Sequence, residues 1–170
     1  MAITILKRFF WVVVVVAVYF TGWKMVRAAI TSSLIIPQIT YAEENCDVNL
    51  SYERASSTAV VVDREISEGE QQSTRFNAPA GFYLLLGMVL LILKQADRRW
   101  FSMILGYHAI FTVLSVSTFF IGLCYLPLLL HLSAAGNSYF TPFFTFFVLL
   151  NVLFPDFRNT IAGTSDRKRD

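Results

Sequence analysis

Four side chains in this sequence carry the chemistry that a nucleophilic or metal site would need: Cys46, Cys124, His108 and His131. A thiol becomes an activated nucleophile when an imidazole lies within hydrogen-bond reach and a third group orients that imidazole. His108 and Cys124 fail this test if both lie on one helix, because sixteen residues span about 24 Å. His131 is closer to Cys124, but Pro127 interrupts a helix between them and leaves their distance open. Cys46 and Cys124 are equally open: a disulfide, or two separate thiols with Cys124 packed as a small apolar group. Two cysteines cannot close a four-ligand zinc site. Glu43, Glu44 and Asp47 lack the spacing and the turn glycine of a calcium loop. No serine elbow, HExxH, glycine-rich phosphate loop or Cys-x-x-Cys is present. The expectation is therefore no metal and no cofactor.

The elements that must position these residues are unusually apolar. Of 170 residues, 55% are apolar and 15% charged, against about 25% charged in an ordinary soluble domain. A net charge of +2 offers no phosphate-binding stripe, so nucleic acid is excluded as a partner. The expected fold class is an α-helical integral membrane protein. It has four transmembrane helices and a small antiparallel β element between helices 1 and 2. The first run, Phe9 to Trp23, covers about 22 Å and must continue through Ile30 to cross a core of about 30 Å. Its basic start also fits a signal peptide, but Lys24 and Arg27 follow where cleavage needs small neutral residues. The second run is Ala78 to Leu93, with Pro79 in its first turn. The third runs from Trp100 to Leu126. A turn at Leu132–Ser138 then leads to a fourth run, Phe140 to Phe154, whose length of about 22 Å requires that the helix begin nearer Asn137, tolerate Pro142 or sit in a thinned bilayer. The expected divisions are residues 1–30 (first helix), 31–77 (acidic β-rich segment), 78–154 (three-helix membrane region) and 155–170 (basic tail).

Orientation follows from the basic residues. Nine of the fourteen lie in the N-terminus, the 94–99 connection and the tail. Both termini are thus expected in the cytoplasm, with residues 31–77 outside. That outer segment holds eight of the twelve acids and three arginines. Its acids read as a solvated surface or, at Glu43, Glu44 and Asp47, as a docking face for a basic partner. Val48, Leu50 and Tyr52 alternate as a half-buried strand does. Ser57 to Val62 is β-branched, and Gln71 to Phe76 completes a three-stranded sheet too small to stand alone. Asn49-Leu50-Ser51 forms a glycosylation triplet.

His108 stands eight residues into the third run, where an imidazole needs a partner. It either makes a helix-packing hydrogen bond, for example to Asn151, or lines a transport path. A chain of four spans with no embedded acid is a poor solo transporter. The phenylalanines at 140, 143, 144, 146 and 147 surround their helix and read as lipid and helix contacts.

Two short stretches, Phe76-Asn77-Ala78-Pro79-Ala80-Gly81-Phe82-Tyr83 and Tyr139-Phe140-Thr141-Pro142-Phe143-Phe144, occur where the second and fourth helices begin. With this layout, the chain resembles small bacterial membrane proteins associated with exosortase systems. The exosortase enzymes themselves use Cys, then Arg, then His at the outer face. Here His131 follows Cys124, and the next arginine, Arg158, is on the other side. The resemblance thus implies an accessory role beside an exosortase-type enzyme in the bacterial inner membrane. The expected function is a non-enzymatic accessory or assembly subunit for surface-protein sorting or polymer export. The alternatives are a thiol-dependent enzyme using Cys124 and His131, and a transporter subunit with His108 in its path.

Overall fold

The computed structural model describes residues 2–67, 70–93 and 98–153, with side chains at 5–65, 71–93 and 98–150. The 94–97 connection and the basic tail lie outside the described residues. The chain is mostly helical, with one small antiparallel sheet. It opens with α1 (Ala2–Val18), α2 (Lys24–Ile30) and α3 (Ile36–Asn45), joined by π turns at Tyr19–Trp23 and Thr31–Ile35. Three strands follow, β1 (Leu50–Ser56), β2 (Ala59–Ser67) and β3 (Glu70–Asn77), paired in the order β1-β2-β3. Three more helices complete it: α4 (Phe82–Ile92), α5 (Arg98–Cys124) and α6 (Pro127–Leu153). Among the described residues, two helices are long and apolar enough to cross a membrane: Ile5–Asn45 and Arg98–Cys124.

The first helix does not end near Ile30, as the sequence reading expects; it runs on to Asn45. Its contact face explains why. Tyr19, Trp23, Arg27, Thr31, Ile35 and Ile39 recur every fourth residue, and all are buried or half-buried. At 3.6 residues per turn, such a row drifts about 40° per step around a straight α-helix. The two π turns each take up an extra residue and bring the row back to one side. Both have local causes. Thr21 Oγ1 returns to the Ala17 carbonyl at 2.9 Å in the first. Pro37, just beyond the second, has no N–H for the normal ladder.

The sheet has one inward face. Val60, Val62 and Arg64 on β2 stand opposite Phe76, Thr74 and Gln72 on β3, and Leu50 on β1 opposes Arg64. Val60, Val62, Phe76 and Leu50 pack on Ile35, Ile39 and Ala42 of the first helix and on Phe119 and Leu123 of α5. The alternation expected over Val48, Leu50 and Tyr52 holds only at Leu50, since Val48 precedes β1 and Tyr52 is exposed. The helical layer covers the inward face of the sheet, which is how so few strands are stabilised. A second core joins Tyr19 to Tyr83, Leu84, Leu90, Ile104 and Val148, with Phe140 and Phe144 against it. Phe143 and Phe146 face outward.

Two further boundaries differ from expectation. Pro79 is not in a helical turn; it lies in a loop closed by Gly81 at φ 64° before α4 begins. The turn expected at Leu132–Ser138 is absent, because α6 is unbroken from Pro127 and contains Pro142. The small polar residues there are satisfied within the helix or across it. Ser133 Oγ donates to the Leu130 carbonyl at 2.8 Å and Ser138 Oγ to that of Ala134 at 3.2 Å. Asn137 bridges outward, accepting from Ser115 Oγ and donating to the Asn77 carbonyl, both at 3.0 Å.

Candidate functional site: the sheet–helix elbow and the His108 clamp

The inward face of the sheet is apolar near the β1–β2 hairpin and becomes polar at its other end, where Arg64, Gln72 and Thr74 stand side by side. This end meets the elbow at Tyr125–Leu126 between α5 and α6. There Arg64 Nη1 donates to the Gly122 carbonyl at 2.7 Å. His131 Nδ1 lies 3.1 Å from Thr74 Oγ1, and its Nε2 contacts the Gln72 amide. Cys46, just after α3, and Cys124, the last residue of α5, form a disulfide with Cα atoms 5.2 Å apart.

The elbow thus gathers Cys46, Cys124 and His131, but not as a nucleophile–base pair. Both sulfurs are in one bond, so neither is a free thiol. The imidazole is engaged by the sheet instead. Arg64 is buried and forms no ion pair among the described residues. Its Nε and the Gln72 Oε1 are buried without partners. Burial alone lowers the guanidinium pKa from its ordinary value. A cation desolvated this way is costly unless hydrogen-bonded, and its bond to Gly122 ties the sheet to the elbow.

His131→Ala is expected to cost about 1–3 kcal/mol, because it leaves Thr74 and Gln72 with buried polar atoms unmet. Thr74→Val combined with it should cost less than the sum of the two, as coupled partners do. Denaturation midpoints of the two single variants and the double variant measure this.

The second polar site surrounds the 78–81 loop. Tyr19 Oη and Trp23 Nε1 both donate to the Ala80 carbonyl, at 2.7 and 2.5 Å, and Arg27 Nε donates to that of Ala78 at 2.8 Å. The loop carbonyls are obligatory acceptors, and the four-residue row on the first helix supplies their donors. His108 sits beneath, its Nδ1 hydrogen-bonded to the Tyr83 hydroxyl and its ring 5.2 Å from that of Trp23. A Cβ on Gly81 would lie 2.8 Å from His108 Cε1. His108 therefore has a packing partner, Tyr83; the side chain of Asn151 lies outside the described residues.

Glu43 and Glu44 are exposed on the last turn of α3, and Asp47 is exposed just after it with φ 50°. They form no ion pair among the described residues. Among the described residues, no three His, Cys, Asp or Glu side chains converge on a metal position.

Arg64, Gln72, Thr74, Tyr19 and Tyr83 were not singled out from the sequence, and the donor roles of Trp23 and Arg27 toward the 78–81 loop were not foreseen. Two signals were available. Arg64 continues the inward alternation of Val60 and Val62, and Tyr19, Trp23 and Arg27 share a spacing of four. No protein-family model, curated protein or solved structure matches this chain.

Proposed function

We propose that this chain is a four-span membrane protein that acts as a non-enzymatic accessory or assembly subunit of a membrane complex, in surface-protein sorting or polymer export. The crossings are the first helix, α4, α5 and α6; the 11 residues of α4 give about 16 Å of helix, so the bilayer is thinned around it. The termini are cytoplasmic, and the sheet is extracytoplasmic, in the bacterial inner membrane. The observation that carries the reading is the contrast between how the polar and the apolar groups are used. Both cysteines and both histidines are engaged inside the fold. In the most apolar stretch of the first helix, by contrast, only 6% of residues are buried. Lipid or a partner helix must cover that face. A disulfide also fits the oxidising side of a membrane.

The partner contact is assigned to the exposed acids at the end of the first helix. The test is purification in mild detergent from the native host, with co-purifying proteins identified by mass spectrometry. A stoichiometric membrane partner is expected. Glu43→Lys and Glu44→Lys with Asp47→Asn should release it while the chain still accumulates; asparagine keeps the left-handed backbone at 47 accessible. A homo-oligomer with nothing else bound would overturn the accessory reading.

A further inference from the structure

A cleft of about 210 Å³ lies between the first helix, the β1–β2 hairpin and the start of α4. Its lining combines two chemistries. Lys24, Arg27 and Thr58 of the hairpin are charged or polar, and Phe20, Trp23 and Phe82 are aromatic. Among the described residues, no acidic side chain lines it. Lys24 is exposed and forms no ion pair among the described residues, and Arg27 commits its Nε to the Ala78 carbonyl. Phe20 and Phe82 have ring centroids 6.4 Å apart and are both about half exposed. Trp23 is fixed by its bond to the Ala80 carbonyl.

We infer that this cleft is a binding site for one anionic phospholipid, its phosphodiester on Lys24 and Arg27 and its first acyl carbons on Phe20 and Phe82. The inference rests on the four-span reading, which puts Lys24 and Arg27 at the outer interface. Charge selects the ligand class: two cations with no carboxylate beside them favour a negative headgroup over a zwitterionic one. The aromatic floor selects an amphiphile over free phosphate. The neighbouring groove along Asn137, Thr141 and Thr145 has no charged lining residue among the described residues, so it offers no such selection.

The test uses the full chain with Trp11→Phe and Trp100→Phe, leaving Trp23 as its only tryptophan, reconstituted in phosphatidylcholine vesicles. Brominated phosphatidylglycerol at low mole fraction should quench Trp23 more strongly than brominated phosphatidylcholine. Each interfacial cation is worth about fivefold in association, so Lys24→Gln should lose about fivefold of the preference. Lys7→Gln should lose none. Native mass spectrometry of the chain with its tryptophans intact gives a second readout, one retained phosphatidylglycerol and no phosphatidylcholine. Equal quenching by the two lipids, or an unchanged preference in Lys24→Gln, overturns the site. Displacement of the lipid by soluble glycerol phosphate overturns the lipid assignment in favour of a free phosphate ligand. Impermeant maleimide labelling of Lys7→Cys and Arg54→Cys in the expressing bacterium separates the two levels. Labelling from the same side overturns the spanning reading and this inference with it. Labelling from opposite sides without a lipid preference overturns the cleft alone.

Discussion

Replacing both Cys46 and Cys124 by serine is expected to lower stability by about 4 kcal/mol, the largest single effect in the chain. The bond closes a loop with a sequence separation of 78 residues. Removing a cross-link over that length returns about 4 kcal/mol of chain entropy to the unfolded state. For a chain of this size, that corresponds to a fall in apparent Tm on the order of 10 °C. The double variant is preferable to either single one, which would leave a reactive thiol. The loss should be local first. The first helix and the sheet meet α5 through the core around Phe119 and Leu123, and the bond clamps the edge of that core. Limited proteolysis should therefore cut the 46–77 segment before α5 and α6, and a reductant should reproduce the effect in the unaltered chain. An unchanged Tm and cleavage pattern would mean that the Arg64 and His131 contacts hold the elbow without the covalent bond.

Gly122→Ala is expected to be nearly as damaging, at about 3 kcal/mol, within the range for overpacking a closed core. A Cβ at 122 would lie 2.4 Å from the backbone nitrogen of Leu130, 2.7 Å from its Cα and 2.9 Å from the Leu129 carbonyl carbon. All three are backbone atoms, so no rotamer change relieves the contact. α5 and α6 must separate, and the Gly122 carbonyl moves away from Arg64. Gly106→Ala and Gly136→Ala are the controls. Among the described residues, nothing lies within 4 Å of a Cβ at either position, and alanine in a helix is better than glycine by up to about 1 kcal/mol. Thermal unfolding in detergent should rank Gly122→Ala well below the unaltered chain, with the other two equal to it or above. A Gly122→Ala variant as stable as the controls would show that the elbow is not closely packed.

The opposite signs expected for chemically identical substitutions separate what is local from what is tertiary. In sequence, Gly122 and Gly106 are both helical glycines in an apolar run. Only the folding back of α6 after Pro127 brings the Leu130 backbone against one of them. The same distinction applies to the polar residues. Ser133, Gly136, Asn137 and Ser138 form a composition that usually marks a turn. A helix instead passes through them because Ser115 and the Asn77 carbonyl, distant in sequence, satisfy Asn137.

By itself the sequence determined the helical character and the three strands. Hydrophobic period and β-branching are local properties that each residue carries into any context. It also singled out Cys46, Cys124 and His131 of the elbow and His108 of the clamp, but not the residues that engage them. Tertiary structure decided which of them meet. It extended the first helix to Asn45, because a row of contacts spaced by four needs two π turns to remain on one side, and those turns are worthwhile only with the 78–81 carbonyls and the sheet to contact. It gave Cys124 to Cys46 and His131 to Gln72 and Thr74. Pairings across 78 and 57 residues depend on how the layers stack, and no local pattern records that.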